Sequence, residues 1–117
     1  IPYLEANRHR IHMHFGKDRR KWNAKEIVAP LKGRPIFLTF DLDGFDSSLM
    51  QATGTPEPGG VMWEDALDII REASKVGNIV GSDVVELAPV KALHSCDFLA
   101  AKLCYKILSY SLAKSAK

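Results

Sequence analysis

Pro35-Ile36-Phe37-Leu38-Thr39-Phe40-Asp41-Leu42-Asp43-Gly44 decides the fold class of this chain. Its nearly continuous apolar run, too short for a helix, is the pattern of a strand buried in a parallel sheet. The run stops at acids. Working outward, residues 22–31 place Trp22, Ala24, Ile27, Val28 and Leu31 at helical spacings, with Asn23 as cap and Glu26 completing a capping-box pattern before the break at Lys32-Gly33-Arg34. Residues 10–15 alternate in the manner of a strand and end at Gly16. On the other side, residues 44–61 contain Gly54, Pro56, Pro58, Gly59 and Gly60 and predict a long irregular loop, of a length more usual for functional loops than for simple connections. Residues 63–74 predict a helix packed through Ala66, Leu67, Ile69, Ile70 and Ala73 and closed by Gly77; residues 78–85 predict a second strand; residues 98–112 predict a helix with Leu99, Leu103, Ile107 and Tyr110 along one stripe. This order of elements predicts an α/β fold, a parallel sheet with helices on both faces joined by right-handed crossovers.

The chain's 117 residues and 46% hydrophobic content suit one compact domain. Sixteen Lys plus Arg against 14 Asp plus Glu leave a net charge of +2, too small to point to a nucleic-acid partner. Lys17, Arg19, Arg20 and Lys21, with Lys114 and Lys117, are expected on solvated surface, an acidic partner being the minor reading. The two cysteines, Cys96 and Cys104, form no C-x-x-C unit and are about two helical turns apart, which is roughly 12 Å of rise and too far for a bridge. No apolar run approaches the ~18 residues of a membrane span, and no signal peptide is visible, so the reading places the protein in a reducing, cytoplasmic compartment. It begins with Ile1-Pro2 rather than methionine, as expected of a piece of a longer protein.

Phe40-Asp41-Leu42-Asp43-Gly44-Phe45-Asp46 is the sharpest local signal. If the strand persists through Asp43, its period of two sends Asp41 and Asp43 to the same side. Such carboxylates repel unless a cation lies between them or a proton is shared, so a metal site is expected, with a solvated acidic turn or an acid/base pair as alternatives. They stand where a strand runs out, the usual ligand position in open α/β sheets. Thr53-Gly54-Thr55-Pro56-Glu57-Pro58-Gly59-Gly60 sets a proline-flanked acid beside them and is expected to wall the site. Glu86, at the end of the second strand, requires a cation, a metal-bound partner or solvent; a guanidinium suits its fork, and a salt bridge to one of the chain's own arginines is the structural alternative.

Residues 37–61, together with Gly81-Ser82-Asp83-Val84-Val85-Glu86-Leu87-Ala88-Pro89, resemble the second half of the arginase and agmatinase family of ureohydrolases. The matching pattern covers about the last two thirds of the chain, and the Thr-Gly-Thr-Pro-Glu-Pro-Gly-Gly segment resembles agmatinase-like members more than true arginases. The resemblance implies that residues 1–117 are the C-terminal portion of a single ureohydrolase domain, an incomplete part of a three-layer fold. It implies a centre of two manganese ions, with Asp41 as bridging ligand and Asp43 as a further ligand, Glu86 receiving the guanidinium, and Asp46, Thr53 and Glu57 in the supporting loop. It also implies hydrolysis of a linear guanidino compound, in the manner of agmatine to putrescine and urea, and homo-oligomeric assembly. Two departures stand out. Ser47 occupies the place of the family's proline, and the upstream Gly-Gly-Asp-His and Asp-x-His-x-Asp segments, which supply the other four ligand side chains, do not occur. The reaction is therefore expected of a parent with the missing upstream half; the rival reading is a noncatalytic structural or interaction domain. His9, His12 and His14 are weak substitutes for the missing ligands because their predicted strand precedes that of Asp41, and His94, Cys96 and Asp97 are expected to cap or pack the last helix.

Overall fold

The computed structural model describes residues 1–113; Lys114 and Lys117 fall outside them. The order is α1 (Pro2–Ala6), a 3-10 turn (Gly16–Lys21), α2 (Ala24–Val28) continued by a 3-10 turn (Ala29–Leu31), β1 (Pro35–Asp41), a 3-10 turn (Leu42–Gly44), α3 (Trp63–Val76), β2 (Asn78–Val85) and α4 (His94–Ala113). β1 and β2 pair in parallel, with Thr39 opposite Asp83 and Asp41 opposite Val85, and a bulge displaces the register between Ile36 and Phe37. The α/β class and the parallel placement of the two acid-ended strands follow the sequence pattern.

Local chemistry accounts for the boundaries. Asn23 caps α2 by accepting the Lys25 N–H at 3.1 Å, while its own amide donates to Glu26 at 3.2 Å. Asp65, in the first turn of α3, accepts the Met62 N–H and is paired with Arg19 at 3.2 Å. α3 ends at Gly77, where the backbone turns extended (φ −121°), and the absence of a Cβ there lets the chain pass close to Ile36 and the Arg34 carbonyl.

The main core gathers Leu42, Phe45, Met50, Ala52, Ala66, Ile70, Cys96, Ala100, Leu103 and Ile107, and a smaller one joins Val28, Ile36 and Ala73. Leu38, Phe40, Ile79 and Val84 face these cores, so α2, α3 and α4 all bury the same face of the sheet. Here the structure corrects the expectation of helices on both faces. Phe37, Thr39 and Val80 point the other way and are exposed, Phe37 by 66% and Val80 by 62%. The apolar run in β1 carries the hydrophobicity of a strand covered twice, yet the described residues supply one covering layer. The expected strand over residues 10–15 is also absent: this stretch is irregular and runs into the Gly16–Lys21 turn, for with Met13 and Phe15 exposed its alternation has no sheet to register against. No helix among the described residues is long and apolar enough to cross a membrane. Cys96 is buried, with its Sγ against the Leu49 carbonyl, and Cys104 is exposed; both are free.

The long loop is irregular but tightly held. Asp46 N–H donates to the Val61 carbonyl, Val61 N–H to Gly44, and Ser47 N–H to Glu57, at 2.9 to 3.1 Å. The Asp46 carboxylate accepts Ser48 Oγ, the Ser48 N–H and the Gly59 N–H. Those donors, the Ser48 hydroxyl foremost, hold it down at about 2. Gly60 is required where the two loop arms meet, because a Cβ there would stand 2.5 Å from the Asp46 nitrogen and the Phe45 carbonyl carbon.

Two outcomes are expected. Leu103→Ala, at a position with no exposed surface, should cost about 2–5 kcal/mol in chemical denaturation. Asp46 has a depressed pKa in the folded loop, so its contribution to loop order is complete above the ordinary carboxylate value of 3.8 and is lost as pH falls through about 2. The Ser48 and Gly59 amide resonances should therefore titrate together with that low midpoint, and Asp46→Asn should abolish the titration.

Candidate functional site

The site begins with packing. Leu42 is fully buried and Phe45 is 1% exposed, each side chain contributing roughly 1.5–3 kcal/mol by burial. Phe45 lies between Phe40, at a ring-centroid distance of 4.9 Å, and Trp63, at 6.2 Å. With these residues pinned inward, the turn over Leu42–Gly44 leaves Asp41 exposed and Asp43 half-buried. The strand ends at Asp41, so the two acids do not share a side through strand alternation as expected; the turn brings them together instead.

Their carboxyl groups are close enough to hydrogen-bond, and that of Asp41 is pushed above the usual carboxylate range. The largest cause is partial loss of water around the group, although Asp41 as a residue is exposed; the hydrogen bond to Asp43 and the repulsion of its charge follow. The Asp43 backbone N–H acts in the opposite direction, and the charge of Glu86 adds a smaller upward push. Asp41 and Glu86 stand at the C-terminal ends of adjacent parallel strands, since Glu86 directly follows Val85, the partner of Asp41. Glu86 has φ +66°, a left-handed conformation that costs a non-glycine residue on the order of 1–3 kcal/mol. The segment beyond it is drawn to the loop by the bond from the Ala88 N–H to the Ala52 carbonyl at 2.8 Å.

The remaining predicted residues divide. Thr53 is buried and its Oγ1 accepts the Thr55 N–H at 3.2 Å; Glu57 is exposed and contributes its backbone to the loop. Asp83 is exposed and accepts a hydrogen bond from Thr39 at 2.6 Å, on the uncovered face of the sheet. His9, His12 and His14 are exposed, and none joins Asp41 and Asp43, because among the described residues no three His, Cys, Asp or Glu side chains gather where a metal ion could sit. Asp97 is half-buried, with one carboxylate oxygen lacking a protein partner. Sequence reasoning passed over Thr55, whose Oγ1 donates to Asp43 Oδ2 at 2.6 Å. Its position between Gly54 and Pro56 was the available signal.

Chemically, paired carboxylates offer the oxygen donors preferred by a hard divalent cation, and a cation would offset the part of the upward push on Asp41 that comes from the charge of Asp43. The donors therefore fit one side of such a centre. Two side chains do not complete it.

Comparison with known proteins accords with this geometry. The family model described as the arginase family matches residues 3–109. The chain is 40% identical over 93 residues to N(1)-aminopropylagmatine ureohydrolase of Synechocystis sp., covering 80% of this chain and 30% of that protein. It is 46% identical over 76 residues to agmatinase of Blochmanniella floridana, covering 65% and 25% respectively. Among solved structures, agmatine ureohydrolase of Thermoplasma volcanium superposes with TM-score 0.72 at 29% identity, over 86% of this chain and 35% of that one. Proclavaminate amidino hydrolase from Streptomyces clavuligerus shares the fold, with TM-score 0.80 at 24% identity over 92% and 38%. The chain thus spans between 25% and 38% of the length of these relatives. On the match over nearly its whole length, the chain belongs to the arginase family.

Proposed function

We propose that the full-length protein carrying this chain hydrolyses a linear guanidino compound, with agmatine to putrescine and urea as the reaction, and that this chain supplies part of the site. The observation that carries the reading is the placement of Asp41 and Asp43 at the end of β1 beside Glu86 at the end of the adjacent parallel β2, in a chain of the arginase family. In this reading Asp41 and Asp43 hold two manganese ions together with ligands from an upstream half. When bound, the ions supply the Lewis acidity that makes a water nucleophilic at neutral pH. Glu86 receives the substrate guanidinium on its carboxylate fork, orienting the carbon for attack. Departure of the amine requires protons from groups outside this chain. The names of the relatives support the substrate class, since agmatine and N(1)-aminopropylagmatine carry the same guanidinium head. The two free cysteines suit a cytoplasmic location, and homo-oligomeric assembly is part of the same proposal.

The direct test offers agmatine, N(1)-aminopropylagmatine and arginine to the manganese-loaded full-length protein and measures urea. Release from agmatine is expected, and absence of urea from all three overturns the reading. The isolated 117-residue chain is expected to release none, because two ligand side chains leave most coordination positions to exchangeable solvent; two tightly bound ions and sustained turnover by the chain alone would refute this.

Asp41→Asn in the full-length protein should lower the rate of urea release by at least about 100-fold, the upper end of what loss of an outer-shell partner costs a metal site. The fold should remain. A carboxyl whose folded pKa is raised disfavours folding as pH rises through that value, so removing its charge should leave the metal-free melting temperature at neutral pH equal or higher. Full turnover by the variant at saturating manganese would exclude the bridging role, and loss of folded metal-free protein would make Asp41 structural.

A further inference from the structure

The loop beside the acids contains a hydroxyl that the proposed reaction leaves unused. Thr55 is exposed as a residue, yet its Oγ1 donates to Asp43 Oδ2 at 2.6 Å, the short length of a bond from hydroxyl to carboxylate. Three restraints aim it. Pro56 follows and restricts the preceding backbone to extended conformations. The Thr55 N–H is tied to Oγ1 of the buried Thr53. The β-branch of threonine limits its side-chain rotamers. Beneath them, Ala52 is fully buried and its carbonyl accepts the Ala88 N–H, so this arm of the loop is fixed to the segment that follows Glu86.

The consequence falls on Asp43. The terminal torsion of an aspartate is soft, and a carboxylate can turn between nearly equivalent positions. Thr55 engages Oδ2 and opposes that rotation, which gives Oδ1 a defined direction. We propose that Thr55 is a positioning residue: it orients the Asp43 carboxylate toward a divalent cation, and Thr53 holds Thr55 in place to do so. This rests on the assignment of Asp43 as a metal ligand. The same arm of the loop joins the Asp43 turn to the Glu86 segment, so Thr55 also fixes the metal side of the site relative to the substrate side.

The experiment compares the full-length protein with its Thr55→Val and Thr55→Ser variants. Manganese is titrated in and the free ion is followed by electron paramagnetic resonance, while melting of each metal-free protein is followed by circular dichroism. Valine keeps the shape and loses the hydroxyl, so manganese affinity should fall by about 10-fold or more, as for other partners that orient metal ligands. Serine keeps the donor and should restore most of the affinity. The metal-free melting temperatures should agree among all three. Equal affinity in wild type and Thr55→Val overturns the proposal, as does an equal loss in both variants, which would assign the effect to packing. A Thr55→Val protein that fails to fold while Thr55→Ser binds normally makes the residue structural and overturns it as well. Asp41→Asn separates the two levels of inference. If wild type binds manganese, Asp41→Asn does not, and Thr55→Val matches wild type, the positioning role alone fails; if wild type binds none, the metal-site reading fails and takes this proposal with it.

Discussion

Burial of Leu42 and Phe45 is the constraint on which the site depends. These side chains flank Asp43 in a short turn, and their anchoring in the core leaves the acids directed outward. Aromatic contacts on both sides of Phe45 stiffen the anchor, and the strand feeding the turn is held by the same core through Leu38 and Phe40. The backbone of the turn therefore cannot move the two acids apart without drawing Leu42 or Phe45 out of the core. The Asp41 carboxyl is held above its ordinary value by partial loss of water, then by the hydrogen bond and the charge of Asp43, and an opposite charge beside the pair would favour its ionised form.

The loop over residues 44–61 transmits this order to the rest of the site. Asp46 collects three donors, Gly60 permits backbone contact that any Cβ would block, and Ala52 and Thr55 connect to the Glu86 and Asp43 segments. Such a loop is long without being loose. The Ser47 N–H bonds the Glu57 carbonyl, a link between the loop arms that a proline at this position could not make. The uncovered sheet face has a different character. Parallel sheets are ordinarily covered on both sides, and here the bare face is the one toward which Phe37, Thr39 and Val80 point.

Much of this was legible in the chain itself. Apolar runs ending in acids located β1 and β2, and the capping residue Asn23, the break before Pro35 and the periodicity of residues 63–74 located the helices around them. The last helix begins earlier than its stripe, at His94, because tertiary packing of Cys96 extends it. The alternation of residues 10–15 misled because alternation indicates a strand only when another strand is available to pair with it. Helices on both faces were likewise expected from the alternating order of strands and helices, which leaves open which residues supply the second layer.

Sequence by itself determined the element order, the acids at the strand ends, the glycines and prolines of the wall, and the family pattern, because each depends on residues adjacent in the chain. Tertiary structure alone decided that Asp41 and Asp43 meet through a turn, that Thr55 reaches Asp43, that Glu86 is held in a left-handed conformation, and that the histidines stand apart from the acids. Those facts depend on where the loop lies against two strand ends. Nothing in the local spacing encodes that position, because it is set by burial of Ala52, Phe45 and Leu42 in one common core.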